Sequence, residues 1–254
     1  MNIGMIIFIV ILIILIIIII RSYIVNNNIL TKLSDAKTQQ TIPNSSLASS
    51  STTGSSNYAF SIWFYINDWS YRYGEPKIIF ARQDLTSLIP SSGTTPSTGS
   101  GSYPQPCVTL GTISNDLIIE LAVNPNTSSS TTTPSPTLIP PCTIQNIPIQ
   151  QWVNFTMSIY GKTLDTYING KLVKTCVLTG VPTISTADVI VTPGGGFDGS
   201  TAKLAYYPNS LNPEQAWNIY EDGYSGGILS NLTGSYQLNV SVLQNGIEEA
   251  SLTI

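Results

Sequence analysis

Ile3 to Ile20 form an apolar run with no charge, broken only by Gly4. At ~1.5 Å per residue, roughly 18 residues reach about 27 Å, enough to cross a thin bilayer as a helix. Tyr23, Ile24 and Val25 can extend that helix, with Arg21 snorkelling to the headgroups. No basic residue precedes the run and no small-x-small site follows it, so a retained anchor over residues 1–25 is expected, rather than a cleaved signal peptide.

Beyond residue 57 the period changes from helical to two. In Phe60-Ser61-Ile62-Trp63-Phe64-Tyr65-Ile66 the positions Phe60, Ile62, Phe64 and Ile66 point one way; Trp63 and Tyr65 give the other face aromatic cover too. Val153, Phe155, Met157 and Ile159 alternate in the same manner with Asn154, Thr156, Ser158 and Tyr160. Lys77–Arg82, 107–113, 117–123, 163–168, 171–177 and 202–207 are further strands, and Asn169-Gly170 is a hairpin turn. One helix is predicted, with Asn212 as cap, Pro213 at its first position, Gln215 closing a capping box and Gly223 as stop. Tyr236 to Leu243 alternates and reads as an edge strand of a C-terminal β extension, 226–254.

Three stretches interrupt this pattern. Residues 26–56 read as a stalk and a flexible tether; 86–106 and 124–141, rich in Ser, Thr and Pro, read as long surface loops inside one domain spanning 57–225. Many strands, tight turns and one helix define an all-β antiparallel sandwich behind a single transmembrane helix.

Composition narrows the chemistry. Only 9% of the 254 residues are charged, the net charge is -4 and there is no histidine. Without histidine the chain can build no Ser-His-Asp triad, no Cys-His pair and no His-ligated zinc site. Its scattered Lys and Arg form no phosphate-binding patch, so a nucleic-acid partner is not expected. Cys107, Cys142 and Cys176 fit no CxxC pattern. Three reduced, packed thiols are the preferred reading; one bridge, with Cys142 and Cys176 as the candidate pair, plus a free thiol is the alternative.

Topology follows from charge. Arg21, Lys32 and Lys37 lie beyond the apolar run and only the α-amino group precedes it, which places the C-terminal domain on the cytoplasmic side. Sequons at Asn44, Asn126, Asn154, Asn231 and Asn239 would argue the reverse, but in so Asn-, Ser- and Thr-rich a chain such triplets arise by chance.

Three blocks carry a resemblance. They run from Phe60 through Asp68-Trp69 to Phe80, from Gln151-Trp152 to Asn169-Gly170-Lys171-Leu172-Val173, and from Gly196-Phe197-Asp198-Gly199 to Leu211-Asn212-Pro213-Glu214-Gln215-Ala216. In order and spacing the chain resembles the laminin-G-like branch of the concanavalin A-like lectin/glucanase superfamily. The resemblance implies a jelly-roll β-sandwich of two curved sheets. Anchor, tether and domain together look similar to proteins of large double-stranded DNA viruses, implying a virion membrane protein facing the capsid.

The family's chemistries are tested residue by residue. Its glucanases carry alternating carboxylates on one strand. Here only Asp116 and Glu120 share a face, and Asp116 reads as a turn residue. Asp198, in the glycine-rich loop 194–199, is the lone candidate calcium ligand. Trp69, Tyr71, Arg72, Tyr73 and Glu75 are the candidate ligand-binding group, with aromatic faces for sugars and charged groups to orient them; a loop corner built from the same residues is the plainer reading. No enzyme activity and no cofactor are expected. The expected partners are the lipid bilayer, through residues 3–20, and coat or other membrane proteins, with glycans as the alternative.

Overall fold

The computed structural model describes residues 28–47, 56–82, 104–124, 137–138, 140–183, 185–224, 239–244 and 247–253. The expected anchor lies outside them, as do most of the two Ser/Thr/Pro stretches. No described helix is long and apolar enough to cross a membrane.

Seventeen strands and one α-helix are described. In chain order they are β1 (Ser34–Asp35), β2 (Gln40–Ile42), β3 (Tyr58–Asp68), β4 (Lys77–Arg82), β5 (Cys107–Leu110), β6 (Leu117–Glu120), β7 (Ala122–Asn124), β8 (Thr137–Leu138), β9 (Cys142–Ile144), β10 (Trp152–Tyr160), β11 (Thr163–Ile168), β12 (Lys171–Val177), β13 (Val181–Pro182), β14 (Val189–Val191), β15 (Asp198–Tyr207), α1 (Pro213–Glu221), β16 (Asn239–Gln244) and β17 (Ile247–Thr253). The first six-stranded sheet has the order β1-β15-β3-β10-β11-β12, the second β2-β14-β4-β5-β6-β9. Every described pairing is antiparallel. The β3 and β10 pattern works as the alternation predicts. Phe60, Ile62 and Phe64 of the first sheet share one core with Phe80, Val108 and Leu110 of the second. The Phe60 and Phe80 rings lie 5.3 Å apart across the gap.

The opposite face of β3 and β10 is also buried. There Asn154 Nδ2 donates to Ser61 Oγ at 3.2 Å, and Thr156 Oγ1 lies 2.9 Å from the same oxygen. This closes a polar group that burial would otherwise penalise by a few kcal/mol. Asn154 is fully buried, so its sequon cannot carry a glycan on the folded domain. Helix α1 begins with the predicted capping box between Asn212 and Gln215 and ends at Gly223, whose φ is +64°. Lys203 Nζ donates to the Asp222 and Gly223 carbonyls, satisfying acceptors that a helix end leaves open. The Asn169-Gly170 turn has positive φ at both residues, as a tight hairpin needs.

Two sequence expectations are corrected. The stretch read as tether includes β1 and β2, which close one side of both sheets. Thr31 and Ala36 within it are buried, and Leu30 N–H donates to the Leu204 carbonyl at 2.7 Å. Strands this short carry no period for a sequence to display. The second loop includes β8, which pairs with β7. The expected C-terminal extension contains a hairpin, β16–β17, that pairs with neither six-stranded sheet.

Candidate functional site

The aromatic corner at Trp69–Glu75 is held together by its own residues. Trp69 Nε1 donates to the Ile113 carbonyl at 3.2 Å, and the Lys77 ammonium sits 4.9 Å over its ring. Burial lowers the pKa of that lysine, first among its causes, and the neighbouring Arg72 lowers it further. Tyr71 Oη donates to the Gly195 carbonyl, and Arg72 Nη1 donates to those of Gly194 (2.6 Å) and Gly196 (3.4 Å). Arg72 Nε also pairs with Glu75 at 2.8 Å. Tyr73 and the Glu75 side chain are the largely exposed members of the group, at 60% and 59%.

These bonds join two features that sequence reasoning kept apart. The glycine loop expected to offer carbonyls to calcium offers them to the Arg72 guanidinium and the Tyr71 hydroxyl. Asp198 is likewise engaged, and it is the first residue of β15 rather than part of a free loop. One carboxylate oxygen pairs with Lys37, and the other accepts from Asn67 Nδ2 at 2.8 Å. The Lys37 contact, then the Asn67 one, holds its carboxyl below the usual aspartate range. Among the described residues no group of three or more His, Cys, Asp or Glu could hold a metal ion.

Asp116 and Glu120 form no facing carboxylate pair. Asp116 and Glu120, four strand positions apart, are separated by ~13 Å along the backbone, beyond what either glycosidase geometry uses. Asp116 accepts from Ser114 Oγ at 2.6 Å and from Asn146 N–H at 3.4 Å. Burial raises the Glu120 pKa.

An opening lies on the far side of the sandwich, where β9 ends the second sheet and β12 ends the first. A cleft of about 610 Å³ separates them. Ile144, Asn146 and Pro148 line one wall, and Ile168, Val173 and Lys174 the other. Lys174 Nζ spans it to the Thr143 carbonyl at 2.8 Å. A disulfide between Cys142 and Cys176 ties the two edges, with Cα atoms 6.2 Å apart. That bridge replaces the preferred reading of three reduced thiols; only Cys107 stays free, buried with its thiol pushed up to about 12, first by burial. Sequence reasoning missed this cleft. Its one signal was the β12 sequence Lys171-Leu172-Val173-Lys174-Thr175-Cys176-Val177, in which lysines flank apolar residues on both faces, a pattern typical of an edge strand.

A second cluster covers the outer face of the first sheet. Trp63 stacks on Tyr220 (5.6 Å) and Trp152 on Tyr224 (4.2 Å), with Tyr65 and Trp217 at the two ends. Most of these ring faces are occupied by each other, which fixes α1 to the sheet.

No protein-family model matches the chain, and no curated protein matches its sequence. Solved structures similar to it include the receptor-binding domain of botulinum neurotoxin C/D mosaic serotype (12% identity, 66% of this chain, TM-score 0.44). The binding domain of botulinum neurotoxin DC in complex with rat synaptotagmin II is another (15%, 66%, 0.44). A third concerns botulinum neurotoxin type C, whose cell entry depends upon interaction with two ganglioside molecules (14%, 65%, 0.41). The chain spans 36% of the length of each of the three.

Proposed function

We propose that this chain is a non-catalytic, membrane-anchored interaction module with a concanavalin A-like jelly roll. In this reading it is a minor virion protein that ties an internal membrane to the capsid. The observation that carries the interaction role is the β9–β12 side: an open cleft and an exposed strand. The uncharged run Ile3 to Ile20 supports the anchor, and the charges that follow it support a cytoplasm-facing domain that would later face the coat. The Cys142–Cys176 bridge pulls the other way, because disulfides persist in oxidising compartments.

Cross-linking the native membrane or particle with an amine-reactive reagent, followed by mass spectrometry, tests the reading. Lys174 lines the cleft, Lys171 lies on the same strand and Lys162 in the turn between β10 and β11, all three exposed, whereas Lys77 is buried and Lys203 is engaged at the helix end. Links from the first three to coat proteins are expected. Absence of any protein neighbour at these lysines overturns the structural role.

A glycan-binding surface adhesin is the second reading. Trp217 and Tyr224, exposed at 39% and 37%, favour it as partly free aromatic faces. Retention of the chain on a glycan array, lost in Trp217→Ala, would move the assignment there.

A further inference from the structure

The four edges of the two main sheets are unequal. β1 has two residues, and β2 and β9 have three each. β12 has seven, six of them exposed on their side chains, including Leu172 (51%), Val173 (47%) and Val177 (83%). Proteins usually keep bare edges short or covered, because unpaired N–H and C=O groups recruit further strands. Among the described residues nothing pairs with the second side of β12. Leu178 N–H donates inward to the Lys162 carbonyl, so by strand alternation the Val177 N–H points to the free side.

The same chain holds an element with the complementary lack. Among the described residues hairpin β16–β17 pairs only with itself, and an isolated two-stranded hairpin is marginal in water. β17 is seven residues long, as β12 is. It carries Glu248 and Glu249, whereas β12 carries Lys171 and Lys174 with Lys162 nearby. In a chain of net charge -4 that basic edge stands apart.

We infer that β12 accepts β17 from a second copy of this chain, by strand addition along its free edge. Backbone hydrogen bonds supply the pairing, Leu172 and Val177 lose exposed surface, and the Lys–Glu contacts select the partner. The inference rests on the interaction reading above and assigns one of its surfaces to self-assembly.

The test uses the full chain in phosphatidylcholine vesicles, mixed one to one as natural-isotope and ¹⁵N-labelled protein. A zero-length carbodiimide joins carboxylates to amines in direct contact, and mass spectrometry reads each link. Links from Lys171 or Lys174 to Glu248 or Glu249 are expected, with mixed-isotope pairs near half of them. Val177→Pro removes the outward N–H and should cut those links at least fivefold while the Cys142–Cys176 bridge still forms. Same-isotope links alone would mean that the hairpin folds back within its own chain and would overturn the inference. Absence of Lys–Glu links would overturn it equally. Coat cross-links surviving either result would leave the broader reading standing.

Discussion

The two ends of the first sheet solve the problem of a bare edge in opposite ways. At one end β1 is two polar residues long and is pinned from several sides. The Lys37–Asp198 ion pair, the Ala36 N–H to Gly199 carbonyl bond and the Thr192 hydroxyl to Thr38 carbonyl bond all hold the segment down. At the other end β12 is long, exposed and apolar in part; β11 pairs with one side of it, and one disulfide and one lysine tie it to the second sheet, but its outer side has no partner strand among the described residues. A segment that looked like tether is therefore structural, and a strand that looked like ordinary sheet is the one left open.

Removing the bridge should show the largest effect. Cys142 and Cys176 are 34 residues apart, for which loop-closure entropy gives about 3.8 kcal/mol. Replacing both with Ser should lower denaturant stability by roughly that amount and speed amide exchange in β12 and β9 before β1. Equal exchange at both ends would remove the asymmetry. Peptide mapping without reductant adds a readout of compartment: a bridge found in native material argues against a cytosolic domain.

The next effect belongs to the opposite end. Gly196 has φ +43°, and a Cβ there would lie 2.1 Å from the Ala36 carbonyl oxygen and 2.7 Å from Thr192 Cβ. Both are backbone or branched positions that cannot swing away. Gly196→Ala should cost about 2–3 kcal/mol, from left-handed strain plus the clash. Proteolysis should then cut first within residues 31–42. A loss of stability without that local cleavage would mean that β1 is not a separable edge.

These contrasts explain what the sequence could reveal. β3, β10, β11 and β12 run for six to eleven residues, long enough for alternation and a hairpin signal to show. The helix was legible because Asn212, Pro213 and Gln215 state its start chemically. β1, β2 and β14 have two or three residues each and are fixed by pairing across more than a hundred positions of chain, which no local pattern records. The candidate corner was legible as a group but not in its role. Trp69, Tyr71 and Arg72 are as suited to binding a ligand as to holding a loop, and only the carbonyls opposite, Ile113 for Trp69 and Gly194, Gly195 and Gly196 for the other two, show where their polar atoms go. The β9–β12 cleft was hidden because its walls come from segments that look unrelated in sequence.

The pH response of β1 should be smaller, and it has a defined sign. Asp198 titrates below its ordinary value of 3.8, so its contribution is present above that pH and lost as pH falls through the lowered value. Lys37 titrates above its ordinary 10.5, so its contribution is present below that pH and lost as pH rises through the raised value. The pair should hold β1 steadily between those limits. Both side chains are partly solvent-facing, and salt should weaken the link. Amide exchange at Ala36 below pH 3.8, compared with Val177 in the same sample, reads the difference directly: acceleration at both positions would point to global acid unfolding.

The smallest expected effect sharpens the comparison most. Val177 is 83% exposed and touches little, so Val177→Lys should change folding stability by no more than about 0.5 kcal/mol. The same change in a paired strand interior such as Phe155, fully buried, would bury an unpaired ammonium and prevent folding. A lysine at the free edge also blunts strand addition, because a second strand would have to desolvate it. Unchanged denaturation together with weaker self-association would show that β12 is kept apolar for a partner and not for the fold. Should Val177→Lys unfold the domain, the edge is internal to the sandwich's own stability, and the contrast between the two ends dissolves.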